Sequence, residues 1–132
     1  MRIGELARRT GVRVETIRWY EKAGLIAAPA RSGGNYRDYD AAALRRLSFI
    51  KRGRDLGFSL DQITGLMAMA RDRGADCTQV DAIARDHLHT IDRKIADLTA
   101  LRREIATMIA SCEGGEIETC NILDALAPAG SP

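Results

Sequence analysis

Apolar positions fall into helical rhythm from the first residues of the chain. Ile3, Leu6 and Ala7 share one face of a short predicted helix over residues 3 to 9. Thr10-Gly11-Val12 interrupts it, glycine being the residue that turns most readily into positive φ. A second helix is predicted from Val14 to Lys22, with Val12 and Ile17 placed to form a hydrophobic staple across its start. Two short helices joined by a glycine turn make a candidate helix-turn-helix. Gly24-Leu25-Ile26 closes that unit. Pro29, Gly33, Gly34 and Asn35 then punctuate residues 27 to 38, which predicts a small β-wing with Ser32-Gly33-Gly34-Asn35 at its tip.

The next two helices announce themselves by their caps. Asp40 is a predicted N-cap with Tyr39 and Leu44 as its staple, and the helix behind it runs through Leu47 and Ile50 to about Arg54. Ser59-Leu60-Asp61-Gln62 is a capping box, flanked by Phe58 and Ile63 at the staple positions. That helix ends in the polar run Arg71-Asp72-Arg73-Gly74.

From about Thr78 to Ser111 the chain contains neither proline nor glycine. Ala84, Ile91, Leu98 and Ile105 recur every seven residues, and Leu88, Ile95, Leu101 and Met108 fill the adjoining stripe. A sustained heptad predicts a coiled coil. His87 and Arg102 weaken the seam without destroying it. The stripe is too narrow to be a core by itself, and a second copy of the chain is its natural partner. The expected organisation is therefore mainly α. A winged helix-turn-helix head occupies residues 1–75, with its wing at about 27–38. A long antiparallel coiled-coil dimerisation helix follows over 76–111, then a loop and short helix over 112–126 and a flexible tail over 127–132.

Charge sharpens the reading of the head. The overall +2 conceals an asymmetry: residues 1 to 54 carry 13 Lys and Arg against 5 Asp and Glu, a net +8, and the remainder carries −6. A basic front on so short a segment is what a phosphate-binding surface needs. The second helix offers Arg13, Thr16, Arg18 and Tyr20. Arg18 can reach a guanine edge or a phosphate, and Thr16 and Tyr20 can bond phosphates. The wing adds Arg31, Asn35, Tyr36 and Arg37 as a basic hairpin able to grip the neighbouring backbone. Trp19 and Tyr39 are expected to pack in the core, as large aromatics usually do. Arg45, Arg46, Lys51 and Arg52 form either a solvated helix face or part of the same basic surface.

Ile3-Gly4-Glu5-Leu6-Ala7, the run from Thr16 to Ile26, and Asn35-Tyr36-Arg37-Asp38-Tyr39 together resemble the MerR family of bacterial regulators. Ile50 to Ile63 strengthens the resemblance, which covers nearly the whole chain. Arg13 departs from the family's usual small capping residue, at some expense to the cap and with a gain of a potential phosphate contact. The resemblance implies a dimer on a palindromic operator inside a promoter whose spacer is too long for RNA polymerase. The effector-bound dimer bends and untwists the DNA, aligns the promoter elements and starts transcription, exchanging protein strain for DNA deformation.

The three cysteines carry the remaining chemistry. Cys77 precedes the long helix, Cys112 ends it and Cys120 follows a short loop. Cys77 and Cys112 are 35 residues apart, in phase with the heptad stripe, and roughly 50 Å apart along a helix. One chain cannot bring them to one ion. In an antiparallel pair, Cys77 of one subunit would meet Cys112 and Cys120 of the other. This gives two three-thiolate sites per dimer, and it agrees with the cysteine positions of the metal-responsive members the chain resembles. Three soft thiolates suit Hg(II), Pb(II) or Cd(II). A carboxylate from Glu113, Glu116 or Glu118 would complete a tetrahedron for Zn(II) or Cd(II). The seven-residue loop Glu113–Thr119 resembles the copper(I) branch of the family, but that branch usually has serine where this chain has Cys77. His87 and His89 read as structural or solvated.

Other functions are weaker matches. A regulator sensing an organic ligand or oxidant would carry a larger ligand domain or an iron–sulfur cysteine cluster. A metal-buffering coiled-coil protein would leave the basic head unexplained. No catalytic constellation is present, so no enzyme activity is expected. The N-terminus has no signal-peptide pattern and no apolar run is long enough to span a bilayer, so a cytoplasmic protein without membrane contact is expected.

Overall fold

The computed structural model describes the chain except for Ser32, Asn35, Tyr36, Glu113, residues 129–132 and the side chain of Arg31. Six helices are described: α1 (Ile3–Thr10), α2 (Val14–Lys22), α3 (Ala41–Asp55), α4 (Leu60–Ala70), α5 (Thr78–Ser111) and α6 (Asn121–Leu126). Two short strands, β1 (Ala30–Arg31) and β2 (Arg37–Asp38), pair antiparallel with Ala30 opposite Asp38 and Arg31 opposite Arg37. The expected wing is thus a two-stranded ribbon, and Ser32 and Asn35 of its tip lie outside the described residues.

The chain divides into two units, Met1–Ile83 and Ala84–Pro132, with the break inside α5. The first unit has a core of Leu6, Val12, Ile17, Tyr20, Ile26, Tyr39, Leu47, Ile50, Ile63 and Met67. Local signals set its elements. Gly11 ends α1 at φ 75, a left-handed conformation that glycine adopts without a Cβ clash. Val12 and Ile17 are both buried, as a staple across the start of α2 requires. The Asp40 carboxylate accepts from the Ala43 N–H at 2.9 Å. At α4 both halves of the capping box form: Gln62 N–H donates to Ser59 Oγ at 3.1 Å, and Ser59 N–H donates to Gln62 Oε1 at 2.9 Å.

Two features of this unit had no signal in the pattern. Gly53 stands where α3 crosses α4, and a Cβ there would lie 2.8 Å from Ile63 Cγ1. Glu21, near the end of α2, accepts on Oε2 from both the Tyr39 hydroxyl and Arg37 Nη1, each at 2.9 Å. Helix α2 and the second wing strand are tied together by one carboxylate.

The second unit is the body of α5 followed by a 3-10 turn (Ile117–Thr119) and α6. Within it the heptad stripe is open to solvent: Leu88, Ile95, Leu98, Leu101 and Ile105 are all more than half exposed. Among the described residues, no helix is long and apolar enough to cross a membrane.

Candidate nucleic-acid interface and metal centre

The exposed face of α2 is built by helical phase. Ile17 is fully buried and Tyr20 is 8% exposed, so the opposite side carries Glu15, Arg18, Trp19 and Lys22 outward. Trp19 is 55% exposed, which overturns the expectation that it packs in the core. The indole lies on the same face as Arg18, and its ring meets Tyr20 edge-on, with centroids 5.7 Å apart. Tyr39, at 2% exposed, does pack in the core. Burial first, and then the hydrogen bond to Glu21, hold its phenol above the ordinary value of 10.0, so it donates as a neutral hydroxyl.

The residues expected at a phosphate surface fall into three groups. Arg13, Thr16 and Tyr20 line an open recess of about 330 Å³ together with Gly11, Val12, Lys51 and Arg54. Tyr20 presents an edge there while most of its ring is core. Arg18 stands on the exposed face beside Trp19. Arg37 is paired: its guanidinium donates to Glu21, which is only 11% exposed, while Arg37 itself is 42% exposed. The side chain of Arg31 and all of Tyr36 lie outside the described residues. On α3, Arg46 donates to the Leu25 carbonyl and Lys51 pairs with Asp55 at 2.7 Å, whereas Arg45 and Arg52 are exposed.

Each cysteine sits at a helix boundary that fixes its backbone. The Cys77 carbonyl accepts from the Asp81 N–H at 2.9 Å, so α5 begins its hydrogen-bond ladder at that residue. Beside it, Asp76 Oδ1 accepts from the Thr78 hydroxyl and from the Thr78 N–H. Those bonds, the hydroxyl's first, hold the Asp76 carboxyl below the usual carboxylate range. The exposed Cys77 thiol stands on the wall of an open recess of about 900 Å³, among Met69, Arg73, Asp76 and Val80. At the other end of α5, Cys112 N–H donates to the Ile109 carbonyl at 3.1 Å. Cys120 closes the 3-10 turn by donating to Ile117, and its carbonyl receives the Asp124 N–H of α6.

The loop between Cys112 and Cys120 is clasped. Asn121 Nδ2 donates to the Ser111 carbonyl at 2.6 Å. The two cysteines are the residues just inside that clasp, so it draws the ends of their loop together. Gly114 at φ 77 and Gly115 at φ 96 supply the reversal, in backbone conformations where a Cβ is strained. Glu116 and Glu118 are exposed on this loop, and Glu113 lies outside the described residues. His87 is buried and His89 is exposed. Among the described residues, no three His, Cys, Asp or Glu side chains of the single chain gather as a metal-binding group.

A family model described as MerR HTH family regulatory protein matches residues 1–70, and one described as MerR, DNA binding matches residues 44–108. The HTH-type transcriptional regulator HmrR of Rhizobium leguminosarum bv. viciae is 42% identical over 127 residues, covering 96% of this chain and 98% of its own. Heavy metal-dependent transcription regulator 2 of Rhizobium meliloti (strain 1021) is 37% identical over 127 residues, covering 96% of this chain and 86% of its own. Among solved structures, the transcription regulator PbrR691 from Ralstonia metallidurans CH34 in complex with lead(II) superposes with a TM-score of 0.79. It is 39% identical, over 96% of this chain and 99% of that one.

Proposed function

The chain belongs to the MerR family of helix-turn-helix transcriptional regulators, and we propose that it is a metal-responsive one, acting as a cytoplasmic homodimer on promoter DNA. Residues 1–75 form the DNA-binding head, 76–111 the antiparallel dimerisation helix, and 112–126 the metal-binding segment, with 127–132 as a tail. Cys112 and Cys120 of one subunit and Cys77 of the partner subunit hold a thiophilic divalent ion. The observation that carries this reading is the Asn121–Ser111 clasp, which sets Cys112 and Cys120 at the two ends of one closed loop.

The donor set fits such an ion. Three cysteine sulfurs suit Pb(II), Cd(II) or Hg(II), and a loop carboxylate, from Glu113, Glu116 or Glu118, offers a fourth ligand for Zn(II) or Cd(II). When bound, the ion supplies a cross-link between subunits. The chain's own residues do the rest. The uncovered heptad stripe of α5 buries itself against its copy and aligns the helices antiparallel. Each α5 begins directly beyond a head, so drawing its first residue toward the partner's loop shifts that head. Arg13, Thr16, Arg18 and Tyr20, with Arg31, Tyr36 and Arg37 of the wing, hold the operator. Moving two heads fixed on one palindrome deforms the DNA between them and presents the promoter to RNA polymerase. Only a ligand that binds one arrangement of the dimer better than the other can drive that shift, and a site shared by both subunits meets the condition.

A mixed dimer tests the shared site. One subunit carries Cys77→Ser and the other carries Cys112→Ser with Cys120→Ser. The partition retains one complete three-thiolate site, so one tightly bound ion per heterodimer is expected, read from the thiolate charge-transfer band. No tight binding by the heterodimer, with normal binding by the wild-type dimer, would overturn the arrangement. A transcription panel with Pb(II), Cd(II), Hg(II), Zn(II) and Cu(I) tests the metal class. Response to Cu(I) alone would assign the chain to a copper(I) sensor instead.

A further inference from the structure

We propose that Glu21 is a positioning residue for operator binding: its carboxylate holds the Arg37 guanidinium in the orientation from which that arginine's remaining N–H groups meet a DNA phosphate. The inference rests on the DNA-binding reading above and deepens it, giving a part in the recognition of a polyanion to a residue that is itself an acid.

Geometry is the first ground. Ile17, Tyr20 and Glu21 fall at i, i+3 and i+4 on one face of α2, and Ile17 and Tyr20 commit that face to the core. Glu21 therefore leaves the helix toward the wing, where its Oε2 accepts from the Tyr39 hydroxyl and from Arg37 Nη1, each at 2.9 Å. Tyr39 is buried, and its N–H donates to the Met1 carbonyl at 2.7 Å, so the carboxylate is anchored from the core side and turns its charge to Arg37. The second ground is the size of the wing. Its strands pair over only two residues each, and so small a ribbon does not hold its own orientation in water. A tie from outside the ribbon bears directly on where Arg37 points. The third ground is the shape of the guanidinium. Its five N–H donors lie in one rigid plane, so fixing Nη1 fixes the direction of the rest, and the side chain keeps 42% of its surface open to a second anion. The fourth ground is sign. Residues 1 to 54 carry 13 Lys and Arg against 5 Asp and Glu, and a carboxylate beside a phosphate contact by itself repels the ligand. Glu21 favours binding only by organising the cation it holds.

That opposition of signs supplies the test. The probe is a duplex that the wild-type dimer selects from a randomised pool, with binding followed by gel shift at several salt concentrations. Simple charge removal makes Glu21→Ala bind more tightly; positioning makes it bind about fivefold more weakly, with a salt dependence shallower by about one phosphate contact. Glu21→Gln keeps an acceptor for both donors and is expected to restore most of the affinity. In an Arg37→Ala background, Glu21→Ala is expected to cause no further loss, because the residue through which it acts is gone. Arg37→Lys provides an arm that leaves the buried carboxylate in place, so it stands even if Glu21→Ala melts too low to assay. A lysine keeps the charge but has no planar fork to join two anions, and it is expected to bind nearly as weakly as Arg37→Ala. Unchanged or tighter binding by Glu21→Ala would overturn the proposal, and so would an equal loss in both backgrounds, which marks a merely structural role. Wild-type affinity in Arg37→Lys would overturn it as well. Wild-type affinity in Arg37→Ala would remove Arg37 from the operator, and this inference with it, while leaving DNA binding by the head in place. If the wild type selects no duplex at all, the DNA-binding reading itself fails.

Discussion

Gly53→Ala is a small change at a crowded place. Gly53 lies near the end of α3, and the new Cβ would sit 2.8 Å from Ile63 Cγ1 and 2.9 Å from Ile63 Cδ1. Unstrained carbon contacts need about 3.5–4.0 Å, so the two helices must part by ~1 Å or Ile63 must leave its rotamer. Ile63 is fully buried, with no solvent side to retreat to. Overpacking of this kind costs about 1–3 kcal/mol. Alanine returns up to ~1 kcal/mol of helix propensity, and less in a final turn. The expected net loss is therefore about 1–2 kcal/mol. Urea unfolding at one fixed protein concentration should show a lower midpoint with an unchanged slope. The control is Ile63→Ala, which removes both clashing atoms. In that background Gly53→Ala should be neutral or stabilising, leaving a coupling of about 1–3 kcal/mol. If Gly53→Ala raises the midpoint in the native background, or acts identically in both, the steric argument is wrong.

Three further outcomes follow from the same geometry. Arg13 stands at the N-cap of α2 without a side-chain cap bond, so Arg13→Ser should add about 1 kcal/mol of stability while weakening operator binding and flattening its salt dependence; calorimetry and salt-titrated gel shifts would read the two opposite signs. Tyr39→Phe removes one of the two donors to the Glu21 carboxylate and should cost about 1 kcal/mol near neutral pH. Because the folded phenol is held above 10.0, Tyr39's contribution is complete below the unfolded value and lost as pH rises through the folded one, so unfolding curves of wild type and variant should converge only in strong alkali. Asn121→Ala opens the clasp on Ser111 and should leave the circular dichroism of α5 intact while lowering metal affinity about fivefold, measured by competition with a chromogenic chelator.

Helix boundaries were legible because their signals are local. Asp40, and Ser59 with Gln62, act within three residues of themselves, and the structure makes those bonds. The heptad was legible for the same reason, since every member of the stripe lies on one uninterrupted helix. Residue type alone puts Trp19 in the core, whereas helical phase does not. Once Ile17 and Tyr20 are assigned inward, 3.6 residues per turn carries Trp19 outward, and that signal was present in the chain. Arg37 had no comparable signal. Its partner Glu21 is 16 residues away on another element, and only the fold makes them neighbours. The clash waiting at Gly53 depends likewise on how α3 crosses α4.

The cysteine loop shows where local pattern and chemistry part company. Gly114-Gly115 between two cysteines is equally compatible with a slack linker and with a fixed reversal. What decides for the reversal is the left-handed backbone of both glycines together with Asn121 reaching back to Ser111. A slack loop would present Cys112 and Cys120 over a wide range of separations, and an ion would have to gather them at the expense of chain entropy. A clasped loop has already met part of that cost, so more of the binding free energy is left to draw in a third ligand. In the proposed site this difference is functional, because there the third thiolate comes from the partner subunit. Spacing alone could nominate the three cysteines; the closed loop adds that two of them already stand at the ends of one clasped segment.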